Sequence, residues 1–143
     1  MQGIFTQDMM KGATVLQCNE VRSGYFENNG KGVFSFHPFP PEAQVSPVNA
    51  IVCTDVNKDG IGDIILAGNE YQCQVMAGRY DASYGLVLAG KGKGRFEALQ
   101  PVSSGLIIDG DTKDLKLLHT SKQVLLLAAV NDEALKIFAL APK

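Results

Sequence analysis

Residues 48–68 read VNAIVCTDVNKDGIGDIILAG, two apolar runs held apart by a polar loop that carries two glycines. Val48–Thr54 and Asp63–Gly68 are short and rich in β-branched residues, and an Asp/Asn/Gly loop separates them, so they predict two antiparallel strands. Outward from this pair, Tyr84–Ala89 and Arg95–Gln100 flank Gly90-Lys91-Gly92-Lys93-Gly94. Alternate glycines there supply the positive φ that a tight hairpin needs. Gly24–Asn28 and Val33–His37 predict a second hairpin around Asn29-Gly30-Lys31-Gly32. Leu115–His119, Val124–Val130 and Ala134–Leu140 predict three more strands, with Val124–Val130 expected to be a buried one. No stretch has helical periodicity, although Phe5–Met10 has room for a single turn, so the expected class is all-β.

The chain also repeats. Gly30-Lys31-Gly32-Val33-Phe34 matches Gly92-Lys93-Gly94-Arg95-Phe96, 62 residues on, and Asn69-Glu70 matches Asn131-Asp132 at the same offset of 62. Two separate matches at one offset indicate a repeated unit, and a short-stranded unit near this size suits a blade of a β-propeller. The expected division of the chain 1–143 is a single partial β-propeller segment. Residues 13–46 give the outer strands of a preceding blade, 47–104 a full four-stranded antiparallel blade with the polar loop, and 105–143 a degenerate blade. About two blades and a fraction leave strand edges unpaired, which predicts either a longer chain or a homo-oligomer that pairs those edges.

The polar loop carries the chemistry. Asp55, Asn57, Asp59 and Asp63 stand at positions 1, 3, 5 and 9 of Asp55–Asp63, with Gly60 at position 6 and the Ile61 carbonyl at position 7. Alternate oxygen donors in a loop that can turn sharply at a glycine suit a hard cation, Ca²⁺ before zinc or copper. An EF-hand is excluded because Leu66 stands where that loop needs a bidentate Glu, and because the flanks are strand-like. The equivalent stretch in the next unit, Leu117–Gln123, has no acidic residue and is not expected to bind metal; Asp109-Gly110-Asp111 is expected to be a plain turn.

The strand, the loop DVNKDGIGD, the strand opening Ile64-Ile65-Leu66, and the later Gly-Lys-Gly turn with Phe96 together resemble the FG-GAP/VCBS repeats of integrin α-subunit propellers and of large bacterial exported proteins. Pro38–Gln44, Gly78–Tyr84 and Ser104–Asp111 add a looser likeness to the C-terminal part of such bacterial proteins. The resemblance implies a segment of a seven-bladed ring, with calcium between the first two strands of a blade. It further implies protein or glycan binding or adhesion instead of catalysis, and an extracellular, periplasmic or outer-membrane-associated location. The second unit departs from the pattern by lacking the loop, so one cation per chain is expected.

Composition narrows the partners. With 45% hydrophobic and 20% charged residues the chain can bury a core, and a net charge of −2 with 13 scattered basic residues argues against nucleic acid. No apolar run approaches the ~18–20 residues that cross a bilayer. The first twenty residues lack the layout of a signal peptide, so any export signal is expected outside this sequence. Cys18, Cys53 and Cys73 have no CxxC spacing and are expected to be free or buried thiols, with one unassigned disulfide as the alternative. His37 and His119 fit no ligand motif and are expected to be structural. The long connection Glu70–Tyr84 offers Glu70, Arg79, Tyr80, Asp81 and Tyr84 as candidate binding residues. Its plainer reading is a self-packed extension with an internal Arg79–Asp81 or Arg79–Glu70 pair. A hydrolase or lyase using Arg79, Asp81 and Tyr84 is the alternative function.

Overall fold

A computed structural model describes residues 6, 8–76 and 78–140. Nine strands form three antiparallel sheets. β1 (Gly24–Asn28) and β2 (Phe34–Pro38) make the first sheet. The second runs in the order β3 (Val48–Thr54), β4 (Asp63–Gly68), β5 (Leu86–Gly90) and β6 (Phe96–Leu99). The third runs β7 (Thr112–His119), β8 (Val124–Val130) and β9 (Lys136–Ala139). The all-β expectation holds, with strand ends within a residue or two of those read from the sequence except at the start of β7. Two short turns escaped the sequence reading: a 3-10 turn at Pro41–Gln44 and the single-turn α1 at Pro101–Ser104. Each follows a proline that presets φ at its first position, and Gly105 at φ 68° ends α1. Phe5 and Gln7 lie outside the described residues; from Asp8 onward the segment forms hydrogen-bonded turns without becoming a helix.

Two hairpins share a bulge near their first strand's start. β3 carries a bulge between Val48 and Ala50 where it meets β4, and β7 carries one between Thr112 and Asp114 where it meets β8. Beyond each bulge the chain is held the same way: Asn69 N–H donates to the Pro47 carbonyl at 3.1 Å, and Asn131 N–H to the Asp111 carbonyl at 2.9 Å. Bulges sharpen the local twist and re-aim the chain.

The sheets stack face on face, with the second in the middle. Phe39, Ala43, Ile64, Leu66 and Leu88 form one apolar layer, which Tyr25 and Phe96 pack against. The Phe39 and Phe96 rings meet edge to face at 5.8 Å. The other layer joins Ala50, Ile65, Ala67 and Val87 to Leu115, Leu126 and Ala128, with Leu106 and Ile108 of the connecting segment between them. β4 is therefore buried along its whole length, Asp63 to Gly68, and its sequence is apolar on both faces for that reason. β8, equally apolar, is not. Leu126, Ala128 and Val130 are buried against the second sheet, but Leu125 and Leu127 are half-exposed and Ala129 is exposed. The buried strand expected from that run is thus covered on one face only.

Candidate metal-binding loop and neighbouring polar hub

The loop Asp55–Gly62 joins β3 to β4 and winds around its own side-chain oxygens. Asp55 accepts from the Asp59 N–H (3.2 Å) and the Gly60 N–H (2.9 Å) on separate oxygens. Asn57 Oδ1 accepts from the Asp59 N–H at 2.9 Å, and Asp59 Oδ1 from the Ile61 N–H at 2.8 Å. Such short-range bonds are the habit of Asp and Asn in turns, and they fold Asp55, Asn57 and Asp59 into one coil. Two residues in left-handed conformation, Lys58 at φ 63° and Gly60 at φ 85°, close it.

Asp63 plays another part. It is 1% exposed, and its carboxylate bridges two backbone donors: Oδ2 takes the Val56 N–H and Oδ1 the Gly90 N–H, both at 2.8 Å. The loop is thereby fastened to β5. Gly90 has to be glycine, since a Cβ there would sit 2.3 Å from the Gly62 carbonyl oxygen and 2.7 Å from Ile61 Cγ2. Lys91 pairs with Glu97 at 2.9 Å, and that bond first, then the negative field of Asp59 and Asp63, holds its ammonium pKa above the usual lysine value. Among the described residues no three Asp, Glu, His or Cys side chains gather closely enough to hold a metal without some rearrangement. The donor set nonetheless suits a hard cation. Of the six carboxylate oxygens of Asp55, Asp59 and Asp63, five accept a backbone N–H and Asp59 Oδ2 accepts the Asn57 side-chain amide at 3.0 Å; each oxygen has two lone pairs, so ligation and loop bonding are compatible. The turn between β7 and β8 is closed by Thr120, whose hydroxyl donates to the Gln123 carbonyl and accepts the Lys122 and Gln123 N–H groups.

Of the expected binding residues, Glu70 and Tyr80 come together at the base of the long connection, exchanging backbone bonds of 2.9 and 3.0 Å. Neither expected internal pair forms. The Arg79 guanidinium lies over the Tyr71 ring at 4.0 Å, while the Glu70 carboxylate takes the Lys113 ammonium of β7 at 3.2 Å. Asn69, just before Glu70, is in left-handed conformation at φ 83°. Arg79, Asp81 and Tyr84 form no hydrogen bond or ion pair with one another among the described residues, and Asp81 and Tyr84 are exposed.

The sequence reading passed over Asn69 itself. Its buried amide accepts from Ser46 Oγ (2.7 Å) and the Ser83 N–H (3.0 Å), and donates to the Ser83 and Gly110 carbonyls at 2.8 and 3.0 Å. One side chain thus ties together the segments that lead into β3, β5 and β7. Asn49 adds a second link, donating to the Asn69 and Thr112 carbonyls. The repeat at Asn69 and Asn131 was the available signal. Asp111 also departs from expectation. In place of an exposed turn it is a buried carboxylate, 2.7 Å from Lys113 Nζ. That contact, ahead of the one with Glu70, keeps the lysine pKa raised.

His37 stacks on Tyr25 and reaches Glu27 at 3.1 Å; His119 is exposed. Cys18, Cys53 and Cys73 are free thiols. No helix among the described residues is long and apolar enough to cross a membrane. Comparison with known protein families, characterised proteins and solved structures finds no match.

Proposed function

We propose that this chain is a calcium-stabilised, propeller-type β-sheet segment that works as a non-enzymatic binding module for a protein or glycan. The observation that carries the reading is the Asp55–Asp63 loop: oxygen donors from Asp55, Asn57 and Asp59 coiled by two left-handed residues, with Asp63 buried beneath them. Bound there, Ca²⁺ offsets two of the three carboxylate charges of Asp55, Asp59 and Asp63 and adds ligand bonds across a strand–loop–strand unit. The residues that would hold it are Asp55, Asn57, Asp59, Asp63 and the Ile61 carbonyl. The repeated bulges, the stacked sheets and the offset of 62 residues support the propeller architecture. The binding face is the Glu70–Tyr84 side, where Tyr80, Val45, Pro47 and Val21 line a shallow groove of about 300 Å³. Tyr80 belongs to the same connection as Glu70, Arg79, Asp81 and Tyr84. Aromatic and arginine side chains of this kind anchor interfaces.

The test is a thermal melt in EDTA followed by added Ca²⁺. At a hundredfold excess over its dissociation constant, a ligand stabilises by about 2.7 kcal/mol. For a domain of this size that corresponds to a rise of roughly 5–10 °C. An Asp59→Ala variant that melts like the wild type in EDTA and ignores calcium completes the expected result; a wild type whose midpoint does not respond to calcium defeats the reading.

A further inference from the structure

The stack of sheets ends in two uncovered apolar faces. On the first sheet, Phe26, Phe34 and Phe36 share the side turned away from β3–β6; Phe26 is 67% and Phe34 60% exposed. On the third sheet, Leu118, Leu125, Leu127 and Ile137 share the side turned away from the second sheet, next to the Asp114–Lys116 ion pair on the same side; Ile137 is 58% and Leu118 46% exposed. Monomeric proteins seldom expose contiguous apolar faces of this kind without a use for them.

The repeat states what each face is built to meet. At the offset of 62, Phe26, Phe34 and Phe36 correspond to Leu88, Phe96 and Ala98 of the second sheet, and those three lie in the layer closed by Tyr25 of the first sheet together with Phe39 and Ala43 just after it. Leu127 and Ala129 of the third sheet correspond in the same way to Ile65 and Ala67, which pack against the third sheet. One uncovered face is therefore the counterpart of the surface that receives a sheet, and the other the counterpart of the surface that is laid onto one. Inside the molecule those two kinds of surface already meet twice.

We infer that two copies of this chain associate head to tail, the Leu127/Ile137 face of one sheet stack packing on the Phe26/Phe34 face of the next. The contact is made by sheet faces and not by the strand edges expected from the sequence. It is heterologous, so it grows into a ring if the rotation between copies closes and into an open stack if it does not. It requires neither calcium nor the Glu70–Tyr84 groove.

The experiment is sedimentation velocity on the full chain from 5 to 200 μM (about the range in which weak assemblies are resolved), in EDTA and in Ca²⁺. The wild type is expected to associate with rising concentration in both buffers. Phe34→Glu and Ile137→Glu each place a charge in one face, which weakens association by at least about 100-fold. Both variants alone are expected to sediment as monomers. Mixed, they form a 1:1 dimer and nothing larger, because each retains the face the other has lost. Val102→Glu, at an exposed position outside both faces, associates like the wild type. Circular dichroism confirms that each variant keeps its sheet content. A wild type that stays monomeric at 200 μM overturns the inference. So does an Ile137→Glu variant that still self-associates, since that outcome marks a symmetric contact through the aromatic face, and so does a mixture of the two variants that remains monomeric.

Discussion

Replacing Asp63 with Asn changes one atom and separates the loop's anchor from its ligands. The Asp63 carboxylate, buried at the start of β4, accepts the Val56 and Gly90 N–H groups on its two oxygens at 2.8 Å each. An asparagine of the same shape has one oxygen, so its NH₂ group must face one of those two donors. One charge-assisted hydrogen bond is lost, about 1.5–3 kcal/mol, and a buried N–H is left without an acceptor, a further 1–3 kcal/mol or so. The expected destabilisation in EDTA is roughly 3–5 kcal/mol, a large part of the 5–15 kcal/mol typical of a domain. Urea unfolding followed by far-ultraviolet circular dichroism, at fixed protein concentration, reads this as a midpoint lower by about 1.5–2 M with an unchanged slope. Asp59→Ala is the comparison. It removes an exposed turn bond to the Ile61 N–H and should cost less than about 1 kcal/mol in EDTA. If Asp63→Asn costs no more than Asp59→Ala without calcium, the buried carboxylate does not fasten the loop to β5 and the reasoning fails.

Four further outcomes are expected. Asn69→Ala abolishes four buried hydrogen bonds at a φ of 83° and should destabilise by about 3–5 kcal/mol, with early loss of amide exchange protection at Ser83 and Asn131. Gly68→Ala puts a Cβ 1.8 Å from the Pro47 carbonyl oxygen and should prevent soluble expression, whereas Gly62→Ala meets nothing within 4 Å and should leave the urea midpoint nearly unchanged. Lys136 bonds Asp109 and depresses its pKa below 3.8. A depressed carboxylate pKa gives stability that is present above the unfolded value and lost as pH falls through the folded one. The acid limb of a pH–melting curve should therefore be shallower below about pH 4 in Lys136→Met. A thiol reagent should modify exposed Cys18 and Cys53 rapidly in the native protein and half-buried Cys73 more slowly; equal rates at all three would contradict the burial.

The strands were legible because their cause is local. Alternation, β-branching and Asp/Asn/Gly punctuation lie within a few residues of one another, and β3, β4 and β8 fall where those patterns put them. The acidic loop was legible for the same reason, since its bonds span only two to five positions. What could not be read depends on distant neighbours. Asp63 reads in the sequence as one more loop oxygen, but its bond to Gly90, 27 positions on, has no local signal. Asp111 looked like a turn residue, but its neighbour Gly110 accepts from Asn69 across 41 positions and the carboxylate is buried beside that link. Arg79 has two acids nearby in sequence and chose the Tyr71 ring, a preference decided by the course of the loop. The open face of β8 was hidden because a run apolar on both sides reads alike whether one face or both are covered.

The clamp at the base of the long connection has a consequence for what this chain tolerates. Glu70 and Tyr80 bond one another across the neck, and Asn69 holds Ser83 just beyond. The described residues between, including the exposed stretch Gln74-Val75-Met76, hang from a junction already closed by other residues. Loop-closure entropy rises slowly, by about 0.6 kcal/mol for each doubling of length. That stretch is thus a place where residues can be inserted, exchanged or grafted with the register of β4 and β5 left alone. The same scaffold could present a different recognition segment there, one length or sequence at a time, with its folding instructions kept elsewhere.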